Sequence, residues 1–425
     1  MLYRVSRKLW GEGVISGRVL TGGRWLGFAL LCGVLSALLC LTLIRGVEGV
    51  QSILSPVPHG LRPIVGAVIL LALLRLTRFP LQGTGTDTYI LAVHGKVPPL
   101  GSAPALGKLL ATIGVVGSGG SGGLAGPALY IGAGMAHSFS GFITVGSDDH
   151  RYLQLMGASS MLAALLQAPL AAAVLACEIL YRQSIRLKDL PVALMGSWSG
   201  YIIYGWLGGG RPVPIVPVPS VGMSLLAGGF FAAVLASFLG IILVVGLRIL
   251  SCHQQPLGGW LIFAGAALTG VLGWWAGESV LGWGVPSLMN EAASGILQPS
   301  PYLLLALVKG AATIFTVGSG GSGGLIGPAL VIGGWGGQAV ASLLGYPAQG
   351  LMWAGMAAGL ATISNVPWAA GILMLELFGI SAWPYALLGS GTGFMLARSW
   401  VAYGALSILP DEVTVAKRTK ATPIH

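Results

Sequence analysis

Two glycine-rich stretches have the residue types to hold an anion without a charged side chain. "GSGGSGGLAGPALY" runs from Gly117 to Tyr130 and "GSGGSGGLIGPALV" from Gly318 to Val331. They agree at 12 of 14 positions, 201 residues apart, and the difference inside the shared core sets Ala125 against Ile326. Each elbow closes on Gly-Pro followed by an apolar run that reads as helix. Glycine allows backbone conformations that other residues resist. The N–H groups opening a helix lack intrahelical acceptors and carry the positive end of its dipole, so two helix starts aimed at one point would make an anion site. A phosphate loop is the competing chemistry, but neither copy has the Gly-Lys-Ser/Thr ending. On the elbows alone a packing role, with the glycines letting helices touch, stays open.

The elements around the elbows repeat as well. Lys108 precedes Ala125 by seventeen residues, and Lys309 precedes Ile326 by the same interval. Downstream, "QAPLAAAVLACEIL" parallels "NVPWAAGILMLEL", pairing Pro169 with Pro367 and Glu178 with Glu376 at an offset of 198. Four features in one order argue for two related halves, divided near Pro212 to Pro219, where prolines block helix continuation. The expected organisation is an N-terminal segment 1–23, a first membrane repeat 24–211, a connecting loop and second repeat 212–406, and a tail 407–425. Spacing alone leaves parallel and inverted halves open. Duplicated halves with interrupted helices are a plan of transporters, whose site lies near the midplane where broken helix ends meet.

Composition sets the medium. The 425 residues are 55% hydrophobic and only 8% charged, against about 25% charged in a soluble domain. Trp25 to Ile44 and Val221 to Leu247 run uncharged for 20 and 27 residues, each long enough to cross a bilayer. Other stretches, such as Pro63 to Leu74, are short or broken, as is tolerated only inside protein or along a wet cavity. Net charge is +10, with Arg4, Arg7 and Lys8 near one end and Lys417, Arg418 and Lys420 near the other. The positive-inside rule then puts both termini in the cytoplasm, and flanking cations of this kind do not indicate nucleic-acid binding. The first apolar run is long for a signal peptide and is expected to be kept as a span. Four cysteines show no metal-ligand spacing. Six histidines without an HExxH give no support to a membrane-embedded enzyme.

At this point the motifs resemble the CLC family of chloride channels and proton-coupled chloride transporters. Members carry GSGIP, GREGP, GGIFAP and a late tyrosine. Here "GTGTD" spans Gly83 to Asp87, "GLAGP" Gly123 to Pro127, "GGLIGP" Gly323 to Pro328, and Tyr403 lies in "WVAYGAL". The similarity extends from about Trp25 to Leu406. It implies an all-α polytopic membrane protein with a CLC-type fold, two inverted-topology repeats with broken and tilted helices. It also implies a homodimer with one pore per subunit, of the prokaryotic type, in a bacterial inner membrane. No cofactor is expected beyond bound chloride. The anion ligands implied are Thr84, Tyr403, and the amides of Leu325 and Ile326. Asp87 stands where the family has proline, and a helix-capping role suits it; Thr84 also fits a helix cap.

Position 125 carries the main departure. The family's gating carboxylate falls in the segment Gly123, Leu124, Ala125 and Gly126, where this chain has alanine. The family's inner proton glutamate falls on Ile179. Uncoupled, channel-like chloride conduction is therefore expected. The alternative is a proton-coupled antiporter of chloride or fluoride using another route. His94 is a candidate carrier, because histidine titrates near neutral pH, although a helix C-cap also suits it. Glu178, repeated as Glu376, fits a paired structural role. Lys108 fits long-range attraction of anions or snorkelling.

Overall fold

The computed structural model describes residues 22–142, 147–182, 184–210, 222–254, 258–294, 302–400 and 402–408. The proline-rich divider and both basic termini lie outside the described residues. Among the described residues there are helices and no strands, and one isolated bridge joins Gly123 to Gly324 in antiparallel sense.

The first half begins with the long helix α1 (Gly22–Ile53), then α2 (Arg62–Thr77), α3 (Thr86–Val93), α4 (Ser102–Gly117), α5 (Ala125–His137), α6 (Ser147–Leu166), α7 (Pro169–Glu178) and α8 (Leu190–Trp206). The second half repeats this order as α9 (Met223–Ser251), α10 (Gly259–Ala276), α11 (Val285–Ser294), α12 (Tyr302–Thr313), α13 (Ile326–Leu344), α14 (Ala348–Ser364), α15 (Pro367–Phe378) and α16 (Trp383–Ala397). A short α17 (Ala405–Ile408) follows. The predicted span Trp25 to Ile44 falls inside α1, and the span Val221 to Leu247 coincides with α9 from Met223 onward, Val221 lying outside the described residues. Among the described residues, four helices are long and apolar enough to cross a membrane, within α1, α9, α10 and α13.

The broken segments have local causes. Proline opens α7 and α15 at the first helical position, where its missing N–H costs nothing. Asn365 closes α14 in a left-handed conformation, with φ of 56°, which asparagine tolerates better than most residues. Close helix pairs use glycine in equivalent places. A Cβ on Gly132 would lie 2.2 Å from the Gly157 carbonyl oxygen, and one on Gly333 would lie 2.2 Å from that of Gly355. Backbones this near gain packing that lipid cannot supply.

The halves are joined by reciprocal interactions, as a two-fold relation between antiparallel elbows requires. The Glu178 carboxylate accepts the N–H groups of Trp368 and Ala369 at 3.1 and 2.8 Å, opening α15. Glu376 accepts those of Leu170 and Ala171 at 2.9 and 2.7 Å, opening α7. Thr112 pairs with Ser322, and Thr313 with Ser121, at 3.1 and 3.0 Å. Each carboxylate satisfies two orphan donors at a helix start and opposes the dipole there.

Removing either carboxylate should lower stability. Glu178→Ala and Glu376→Ala are each expected to cost roughly 1–3 kcal/mol, the more buried Glu178 at the upper end. Thermal unfolding in detergent reads this, and an unchanged midpoint in both variants would remove the crossed caps from the stabilising set.

Candidate functional site

The centre of the site is backbone. Gly123 and Gly324 exchange two N–H···O=C bonds, both 2.6 Å, so the two elbows cross in direct contact. A Cβ on Gly123 would lie 2.8 Å from the Gly327 nitrogen, and one on Gly324 would lie 2.6 Å from the Gly126 nitrogen. No other residue fits that crossing. α5 and α13 start immediately beyond it, at Ala125 and Ile326, and among the described residues no side chain caps either start. Their first N–H groups therefore remain available to an anion.

The loop bearing Thr84 is laid against this crossing. The Gly323 N–H reaches the Gly83 carbonyl at 3.3 Å, and the Gly83 N–H reaches the Gly320 carbonyl at 3.4 Å. Gly126 approaches so closely that a Cβ there would lie 2.9 Å from the Thr84 carbonyl oxygen. The Lys108 ammonium holds the loop from behind. It is 1% exposed and donates to the carbonyls of Leu81, Gln82 and Gly83 at 2.9, 3.3 and 2.7 Å. It does not snorkel to an interface. Gly85, with φ of 77°, leaves room for it, since a Cβ there would lie 3.2 Å from the Lys108 Cε.

A cavity of about 810 Å³ opens onto this loop. Thr84, Asp87, Leu325 and Tyr403 line it, so the structure brings together three of the four anion-ligand positions expected from sequence. Ile326, the fourth, lines a separate small cavity of about 30 Å³ with Leu124 and Ala125. The Tyr403 hydroxyl is 3.4 Å from Ser364 Oγ. The Thr84 hydroxyl donates to Asp87 Oδ2 and accepts the Thr86 N–H, both at 3.2 Å. Asp87 Oδ1 accepts the Ala405 N–H at 3.0 Å. Asp87 thus ties the Thr84 loop to the turn after Tyr403, and in doing so occupies the proton that Thr84 would offer an anion.

The remaining expected positions lie elsewhere. Ile179 follows α7, fully buried. Glu178 faces the start of α15. His94 ends α3, its Nδ1 2.8 Å from the Ile90 carbonyl and its ring 5.2 Å from that of Tyr181.

Sequence reasoning missed several residues. Arg182 and Arg248 also line the larger cavity; the Arg248 guanidinium lies 5.8 Å from the Trp400 ring centre. Asp189, fully buried, pairs with Arg151, which also donates to Tyr181 and the Val93 carbonyl. The available signal was scarcity, because a charge beside apolar segments needs a reason.

Comparison with known proteins bears on the family and the fold. Residues 67–398 match a family described as voltage gated chloride channel. An uncharacterized protein of Methanocaldococcus jannaschii is 25% identical over 388 residues, covering 88% of this chain and 93% of its own. A chloride/fluoride channel protein of Pseudomonas syringae pv. tomato is 25% identical over 426 residues, covering 92% and 90%. Among solved structures, a CLC-type fluoride/proton antiporter superposes with a TM-score of 0.80 at 19% identity, covering 92% of this chain and 99% of its own. A slow cyanobacterial Cl⁻/H⁺ antiporter gives 0.77 at 22% identity, covering 94% and 98%. At these identities the structural likeness shows the fold.

Freeing the Thr84 proton should strengthen the site. Asn at position 87 keeps an acceptor for the Ala405 N–H and removes both the carboxylate charge and the acceptor for Thr84. Asp87→Asn is expected to tighten halide binding roughly three- to tenfold, read by titration calorimetry in detergent. An equal gain in Thr84→Ala/Asp87→Asn would show that the hydroxyl plays no part.

Proposed function

Since the chain belongs to the voltage-gated chloride channel (CLC) family, whose members move anions across membranes, we propose that it conducts chloride passively, without exchange for protons. The single observation that carries this reading is the surroundings of position 125. Where the two elbows meet, Ala125 faces a cavity lined by Leu124, Ile326, Val285, Met289, Leu330 and other apolar side chains. Among the described residues no carboxylate lines it. None of those lining side chains titrates, so none of them carries a proton in exchange for an anion. The nearby acids are engaged otherwise, Asp87 on Thr84 and Ala405, and Glu178 on the start of α15. Ile179 supplies no second carrier.

The ligands proposed for a dehydrated anion are the Tyr403 hydroxyl, the Thr84 hydroxyl once released by Asp87, and the amides of Leu325 and Ile326. Hydroxyls and amides bind a permeant anion without trapping it as a fixed cation would. Lys108, held among backbone carbonyls, contributes positive potential without touching the ion, and Arg182 with Arg248 gathers anions at the mouth. The working unit is proposed to be a homodimer with one pathway in each subunit, multi-pass in a bacterial inner membrane with both termini cytoplasmic.

A fluoride reading has specific support, because one similar sequence is described as a chloride/fluoride channel protein and one similar fold as a fluoride/proton antiporter. Reconstituted liposomes separate these readings. Under a chloride gradient with potassium and valinomycin, rapid chloride efflux without coupled proton movement is expected. Protons driven uphill by the gradient would overturn the uncoupled reading, and fluoride efflux far above chloride would replace the substrate.

Two substitutions test the assignment of positions. Tyr403→Phe combined with Thr84→Ala should weaken halide selectivity severalfold, and unchanged selectivity would remove both hydroxyls from the site. Ala125→Glu should slow conduction and make it pH-dependent, because a carboxylate there competes with the anion when ionised and withdraws when protonated. Rates that are unaltered across pH 5–8 in that variant, a window set at roughly the range in which a shielded carboxyl titrates, would show that position 125 lies off the pathway.

A further inference from the structure

The two-fold relation points to a residue that motif matching passes over. Lys309 is buried like Lys108 and donates to the carbonyls of Val280, Leu281 and Gly282 at 3.1, 3.4 and 2.7 Å. The two lysines therefore grip equivalent loops, which sets Gly83-Thr84-Gly85 against Gly282-Trp283-Gly284. The flanking glycines agree, with φ of 68° and 77° in one loop and 59° and 74° in the other. The second loop also lies on the elbow crossing: the Gly122 N–H reaches the Gly282 carbonyl, and the Gly282 N–H reaches the Gly119 carbonyl, both at 3.3 Å. The counterpart of Thr84 is Trp283. One loop presents a hydroxyl and the other an indole.

The cavities show what the indole does. From the Tyr403 cavity, Leu325 leads to its neighbour Ile326 and so to the 30 Å³ chamber at Ala125. That volume is of the order needed for one or two waters, but buried water needs two to four polar partners, and leucine, isoleucine, valine and methionine offer none. Beyond the chamber lies a third cavity of about 440 Å³, lined by Ser52, Arg62, Gly119, Glu278 and Gly282. Trp283 lines both the chamber and this third cavity.

We infer that Trp283 is the seal of the pathway at the end opposite Tyr403, closing the chamber at Ala125 against the polar cavity of Arg62 and Glu278. This inference rests on the proposed anion pathway. It gives an aromatic side chain the closing role that a carboxylate at position 125 would otherwise take. A constriction lined by apolar side chains and closed by an indole opposes an ion, because the ion would shed most of its water there with few groups to replace it. The loop backbone is fixed by Lys309 and by the crossing, so opening is a rotation of the indole and not a movement of the loop. The third cavity is a second mouth: Arg62 donates to Glu278 at 2.6 Å and to the Ser55 and Val57 carbonyls at 2.8 and 2.7 Å, which holds the start of α2 against the stretch before α11.

The test reads access to position 125 directly. The full chain carrying Ala125→Cys and Cys252→Ser, with and without Trp283→Ala, is exposed in detergent to a water-soluble methanethiosulfonate reagent. Cys32, Cys40 and Cys177 are buried and report any general loosening in the same molecule. The expected result is labelling of Cys at position 125 at least tenfold faster with Trp283→Ala, protection restored by Trp283→Phe, and buried thiols unreacted throughout. Equal rates with and without the indole would overturn the inference, as would acceleration matched by the buried thiols. Chloride efflux from liposomes is read separately. Faster labelling accompanied by faster efflux upholds both seal and pathway, whereas faster labelling in a chain that passes no anion upholds the seal and overturns conduction.

Discussion

The structure depends on one contact, the exchange of backbone hydrogen bonds between Gly123 and Gly324. Inside a membrane, a helix that stops halfway leaves N–H and C=O groups that lipid cannot satisfy. Here the loops that lead into α5 and α13 meet part of that demand by pairing Gly123 with Gly324. At 2.6 Å the crossing leaves no room for a side chain, which is why both partners in the contact are glycine. The same crossing aims two uncapped helix starts into one region. The stability requirement and the anion chemistry are thus met by a single arrangement.

Charged groups inside the molecule serve the backbone first. Lys108 and Lys309 each bind three consecutive carbonyls, Glu178 and Glu376 each bind two N–H groups, and Asp87 binds one N–H and one hydroxyl. A buried ion with several polar partners is tolerable where a bare one is not. These charges fix loops in conformations that neither propensity nor packing would hold. Their fields still extend into the cavities, so the loops they hold and the potential an anion meets have the same source.

Much of this was legible in the sequence, because its causes are local or repeated. Long apolar runs pointed to α1 and α9, the repeated elbows to two glycine-rich helix starts, and the motif match to Thr84 and Tyr403, which line one cavity with Leu325 although 319 positions separate Thr84 from Tyr403. The bond from Thr84 to Asp87 was not legible: both residues were noted, but which partner a hydroxyl chooses depends on the position of the turn at Ala405, far along the chain. Trp283 was missed for a related reason. It belongs to no motif, and its correspondence with Thr84 appears only when Lys108 and Lys309 are seen gripping equivalent carbonyls, at an offset differing from that of the elbows.

That correspondence separates frame from function. A two-fold pair of loops, lysines and elbows would, with identical side chains, give a pathway with two equal ends. The chain keeps the lysines, glycines and capping glutamates in both halves and varies the residues that face the cavities: Thr84 against Trp283, Ala125 against Ile326. The repeated residues are those whose backbone contacts allow no alternative, since a Cβ or a lost charge there would leave buried groups unpaired. The varied residues line the cavities, where side chains of different shape and polarity fit the same backbone. The difference between the two loops, a hydroxyl at Thr84 and an indole at Trp283, therefore arises at positions that line cavities and not at those that hold the frame.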